Sequence, residues 1–192
     1  MTVSKFPEGN IILLYANHRG DFINEKIQMP EYIANRIKVC RSVYDRILKS
    51  KPDGLKTEIY VISTNADLAN SIKQELSAKP LDEARITIVP EATLTSAMDN
   101  ILRRLRKRTN IPIIYLVTSH WQREICNNIS LKFKEFKIHF EGALDHRPIG
   151  EIDTEKDIEI PSKGLEFYKA KAKNKAVDLL LNRMFPDKEN DR

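Results

Sequence analysis

Apolar residues occur along this chain in two alternating patterns. Short unbroken runs read as strands buried on both faces, and longer stretches with apolar positions every three or four residues read as one-sided helices. The runs are 10–16 (NIILLYA), 58–63 (EIYVIS), 85–89 (RITIV), 113–117 (IIYLV) and 137–140 (KIHF). Between the first two, Pro30 suits a first helical turn, and Ile33, Ile37, Cys40, Tyr44 and Ile47 make an apolar face over 30–50, with Arg36 near that face. Asn65 caps a second helix carrying Leu68, Ile72 and Leu76, which Pro80 ends. A third helix starts near Thr95 or Ser96, with Met98, Ile101, Leu102 and Leu105 inward. A fourth follows His120, with Ile125, Cys126, Ile129 and Phe133 on one side. Residues 141–163 lose the pattern and read as a long connection. A closing helix over about 165–185 carries Leu165, Tyr168, Leu179, Leu180 and Met184, before a polar, frayed tail.

Strands alternating with helices predict one α/β domain over residues 1–192, a three-layer sandwich around a mainly parallel, Rossmann-like sheet of about five strands. Ligands of such sheets bind outside the carboxyl ends of the strands. The segments expected there are 17–21, 63–65, 91–100 and 118–123. The sharpest change in the chain falls in the last of these, where the apolar run 113–117 gives way to Thr118, Ser119, His120, Trp121, Gln122 and Arg123.

Composition changes this picture little. The net charge of +5 is a modest excess, which favours anionic partners without requiring nucleic acid. Two separated cysteines, Cys40 and Cys126, fall on helices without metal-type spacing and read as buried thiols of a reducing compartment. No segment has the make-up of a signal peptide or the length of about 18 apolar residues needed to span a bilayer, so a cytoplasmic protein with no membrane contact is expected.

Four constellations carry candidate chemistry. Ser119 is placed to cap the helix after the fourth strand, whose free N–H groups make an anion site. Thr118 stands beside it. Histidine as a residue type can carry a proton near neutral pH and arginine offers a guanidinium fork, and His120 and Arg123 are three residues apart and would share a helix face. His120 is the candidate acid or base. Trp121 reads as packing against the sheet rather than as a stacking platform. Ser96, Asp99 and Asn100 lie in a first helical turn, where they serve either the dipole or a ribose or amine. His18 and Arg19 follow the first strand in the place of a phosphate loop, but without its glycines. The densest charge run, Arg103-Arg104-Leu105-Arg106-Lys107-Arg108, reads as a solvated helix end, with a nucleic-acid patch as the rival. The four histidines are scattered, with no zinc-type pair, and no nucleophile elbow occurs.

Taken in order, these segments resemble the YdcF-like family, which includes the SanA-type envelope proteins. Arg36 stands for the arginine of that family's early helix. Leu94-Thr95-Ser96-Ala97-Met98-Asp99-Asn100 is similar to its S-x-N-T-x-E-N segment. Val117-Thr118-Ser119-His120-Trp121-Gln122-Arg123 is similar to its V-T-S-x-x-H-x-x-R segment, with two residues deleted. The family's glycine-rich turns are replaced by Asn17-His18-Arg19-Gly20 and Ser63-Thr64-Asn65. The resemblance implies a Rossmann-like fold and a shared cleft, and little about activity. The reading that results is an anionic, nucleotide-like small molecule at the sheet edge, held by Arg36, Ser96, Asp99, Asn100, Thr118, Ser119 and Arg123 with His18 and Arg19 nearby. The cofactor, if any, is unknown. A basic nucleic-acid module using Arg103 to Arg108, or a catalytically inactive structural protein, is the alternative.

Overall fold

The computed structural model describes residues 9–17, 29–50, 57–77, 85–108 and 111–159. His18, Arg19 and the closing helix expected over 165–185 lie outside them. The chain divides into two compact units, Met1–Pro148 and Ile149–Arg192.

The first unit holds β1 (Asn10–Tyr15), α1 (Glu31–Ser50), β2 (Thr57–Ile62), α2 (Ala66–Ser77), β3 (Ile86–Val89), α3 (Leu94–Leu105), β4 (Ile113–Ser119), α4 (Arg123–Lys132) and β5 (Lys137–Ala143). All five strands are parallel, in the order β3-β2-β1-β4-β5. The fold is therefore the α/β sandwich that the alternating pattern implies. The chain builds outward from β1 to β3, returns to the far side of β1, and builds outward again. Its topological switch point lies between β1 and β4.

Right-handed crossovers put α1 and α2 on one face and α3 and α4 on the other, and each pair is in contact. β1 is central and buried throughout, and Gly9 ahead of it takes a left-handed φ of 98° that suits glycine. Ile12, Leu14, Ile59, Val61 and Val117 pack under α1 and α2, against Ile33, Ile37, Cys40 and Tyr44. Burial pushes the Cys40 thiol up to about 12, offset in part by Arg41, so this sulfur behaves as an apolar side chain. Cys126 is buried as well, and neither cysteine is in a disulfide. Among the described residues no helix is long and apolar enough to cross a membrane.

Helix starts follow local chemistry. The Asn65 side-chain oxygen accepts from the Leu68 N–H at 2.9 Å and caps α2. Thr93 caps α3 through the Ser96 N–H at 3.1 Å, so this helix begins at Leu94, slightly before the expected start. The long connection expected over 141–163 is not present as such. β5 continues to Ala143, and α5 (Ile149–Glu159) belongs to the second unit. The expected strand 137–140 is present as β5, but its extension past Phe140 and α5 both escape a pattern search for physical reasons. β5 is an edge strand with intermediate exposure along most of its length, and the IGEIDTEKDIE sequence of α5 has no one-sided apolar stripe.

Candidate functional site

Arg36 lies in the second turn of α1, on the buried stripe between Ile33 and Ile37, and is fully buried. A guanidinium there needs acceptors, because a buried charge without them costs several kcal/mol. Three elements supply them. Its Nη1 donates to the Tyr15 carbonyl at the end of β1, 3.0 Å away. Its Nε and Nη2 donate to the Ser119 hydroxyl oxygen at the end of β4, at 3.1 and 2.7 Å. Its Nη2 also lies 3.7 Å from the Asp145 carboxylate, just past β5. Arg36 thus joins the two strand ends that border the switch point.

Asp145 is the hub of this cluster. Its carboxylate accepts from the Ser119 hydroxyl at 2.6 Å and from the Trp121 indole N–H at 3.1 Å. It also takes a forked pair from Arg147, at 2.9 and 2.7 Å. Burial raises the Asp145 pKa, but the bonds from Arg147, Ser119 and Trp121 outweigh it and hold the carboxyl well below its usual range. The Arg147 guanidinium carbon stands 3.7 Å from the Tyr32 ring centre, and that of Arg36 stands 5.0 Å from the same ring.

This arrangement holds shape and charge rather than moving protons. The Ser119 hydroxyl donates to Asp145 and accepts twice from Arg36, so its hydrogen-bonding capacity is filled. A carboxylate with a depressed pKa is also a weak base toward a serine proton. Ser119 makes no side-chain cap to the 3-10 turn His120–Gln122 that follows it, so its expected capping bond is replaced by the link to Asp145. Thr118 is buried and bonds the Gln122 side chain. The Trp121 indole packs and donates, and its N–H is spent on Asp145.

His120 and Arg123 lean the other way. Tyr115 and His139 stack at 5.2 Å on the α1 face, where Arg46 covers Tyr115. Strand alternation then puts Phe140 and Gly142 of β5 on the opposite face. There the Arg123 guanidinium lies 5.1 Å from the Phe140 ring centre, and the exposed His120 ring meets Phe140 edge-on at 6.3 Å. A side chain at Gly142 would put its Cβ 2.4 Å from His120 Nδ1 and 2.9 Å from its Cγ. Gly142→Ala is therefore expected to displace the exposed imidazole at a cost below about 1 kcal/mol in a urea titration, because the ring can swing toward solvent. An unchanged His120 environment by NMR would contradict that contact.

The remaining candidates lie on or beside α3. Asp99 pairs with Arg103 and, at 2.6 Å, with Lys132 of α4; the Lys132 bond is the larger cause of its lowered pKa. Ser96 and Asn100 instead donate to the Glu91 carboxylate after β3. Asp99 and Asn100 are adjacent on a helix and so point in different directions. The candidates sort into three groups, Arg36 with Ser119, His120 with Arg123, and Ser96 with Asn100, while Asp99 joins the α3–α4 surface. Asn17 ties the edge together. Its side chain accepts from the Thr64 N–H at 2.7 Å and donates to the Glu91 and Ala92 carbonyls at 2.7 and 2.9 Å.

Asp145 and Arg147 escape sequence reading because they follow an edge strand in a stretch without periodicity. The signal that points to them is Arg36 itself, since a cation on an apolar helix stripe implies a buried acid. Among the described residues no group of three or more histidine, cysteine or acidic side chains gathers to hold a metal ion. No protein-family model, no curated protein and no solved structure gives a significant match to this chain.

Proposed function

We propose that this chain is a YdcF-like α/β protein that binds an anionic, nucleotide-like small molecule at the carboxyl edge of its sheet. The observation that carries this reading is the buried Arg36 guanidinium, which joins the ends of β1 and β4 at the switch point, where ligands of open α/β sheets collect. The Arg36–Ser119–Asp145 cluster is the rigid floor. Arg36 and Ser119 are buried on one side of the end of β4 and His120 and Arg123 are exposed on the other, so a ligand at that strand end meets His120 and Arg123 above the buried cluster. Arg123 supplies the exposed cation, and His120 is the candidate acid or base. Asp99, engaged by Arg103 and Lys132, has no part in it.

Calorimetry with ATP, ADP and AMP tests the reading. Binding tighter than about 1 mM is expected, weakened about tenfold by Arg123→Ala, an exposed position where the fold tolerates the change. Failure of every nucleotide to bind at that level, or equal binding by the variant, defeats it.

The nucleic-acid alternative has less support. Three of the five cations from Arg103 to Arg108 are engaged, Arg103 by Asp99, Arg106 by Glu135 and Arg108 by Glu58. A cation already paired has less to gain from a phosphate.

A further inference from the structure

A cavity of about 420 Å³ lies under α3, beside the sheet's edge strand β3. It is separate from the Arg36–Asp145 cluster, since none of that cluster's residues lines it. Its volume falls within the range of small-molecule pockets, about 300–1,000 Å³. Tyr60, Val89, Ile101 and Leu105 give it an apolar lining. The Tyr60 hydroxyl is turned to Glu58 at 2.7 Å and to Arg108 at 3.3 Å, which leaves the ring as the contact surface.

Two opposite charges border this cavity without meeting. Glu91 is oriented by Ser96 and Asn100, one bond to each carboxylate oxygen, and has no cationic partner among the described residues. Arg104 lines the same cavity, is exposed, and its guanidinium has no hydrogen bond or ion pair among the described residues. Asn100 and Arg104 are four residues apart on α3, hence on one face and about 6 Å apart along the axis. Glu91, held at Asn100, and Arg104 therefore stand about one helical turn apart over an apolar floor. The neighbouring Arg108 is already forked onto Glu58 at 2.7 and 3.0 Å. That contrast marks Arg104 as the cation left for a guest.

We propose that this cavity binds a zwitterion of the amino-acid class with a bulky apolar side chain. The ammonium sits on Glu91 and the Asn100 amide oxygen, the carboxylate sits on Arg104, and the side chain lies on Tyr60, Val89, Ile101 and Leu105. An acid and a base held apart around an apolar recess match the charges and the body of such a molecule. A purely anionic ligand leaves Glu91 repelled, and a purely cationic one leaves Arg104 unanswered.

The test is calorimetry and amide NMR of the full chain with L-phenylalanine, L-tryptophan and L-leucine, and with their N-acetyl derivatives. Saturable binding below about 1 mM is expected for at least one free amino acid, with amide shifts at residues 87–89, 91 and 100–105. Arg104→Gln, N-acetylation of the ligand and Glu91→Gln should each weaken it at least about tenfold. Arg123→Ala should leave it unchanged, which separates it from the nucleotide reading. No binding up to about 10 mM, or binding that survives both Arg104→Gln and acetylation, overturns the proposal. So does binding lost with Arg123→Ala.

Discussion

Replacing Asp145 by alanine is expected to destabilise the folded chain by about 3–5 kcal/mol, the largest loss from any single polar residue described. The side chain is almost fully buried and accepts from Ser119, Trp121 and Arg147, with Arg36 at 3.7 Å. Alanine removes the acceptor from all of them at once, and a truncated buried partner leaves the desolvation of the others uncompensated. The pH dependence has a definite sign. A carboxyl whose folded pKa is depressed contributes stability that is fully present above its unfolded value, near 4, and is lost as pH falls toward the folded value. The stability gap between wild type and Asp145→Asn should therefore be constant from about pH 7 to pH 5 and shrink below about pH 4. Urea midpoints at several pH values measure it. A gap that widens with acid would show that another group controls the site.

Arg36→Met is expected to cost less, about 2–3 kcal/mol, although Arg36 is the more deeply buried. Methionine keeps much of the volume, and Asp145 retains the bonds from Arg147, Ser119 and Trp121. What is lost is the link from the Tyr15 carbonyl to the Ser119 hydroxyl, and with it the alignment of the β1 and β4 ends. On the proposed reading, nucleotide binding falls with it. Adding Arg36→Met to Asp145→Ala should cost less than the two separate losses by about 1–3 kcal/mol, because the first change removes the reason for the second. Strict additivity would mean that the two residues do not share one network.

The parts of this architecture legible in the sequence are those governed by local periodicity. The run 113–117 announces β4, and the stripe Ile33, Ile37, Cys40, Tyr44 and Ile47 announces α1, because burial and spacing are written in neighbouring residues. Asn65 caps α2 as its side chain suggests. The pairing of Arg36 with Asp145 is different in kind, since it joins α1 to a segment more than a hundred residues later through chemistry that either residue alone leaves open. Asp99 shows the reverse case. Its place in a helix near a sheet edge suggested a ligand contact; its carboxylate meets Arg103 one turn on, which spacing could suggest, and Lys132 on α4, which no local pattern contains.

The place of β1 in the middle of the sheet has a consequence for how the protein is made. Its residues pair on one flank with 57–62 and on the other with 113–117. A ribosome releases the second partner only after about a hundred further residues have emerged. Until then the edge of β1 that pairs with β4 has no partner strand to fill it. Arrest peptides placed after residues 105 and 150 are expected to report weak and strong folding force respectively, with the arrival of β4 as the committing event.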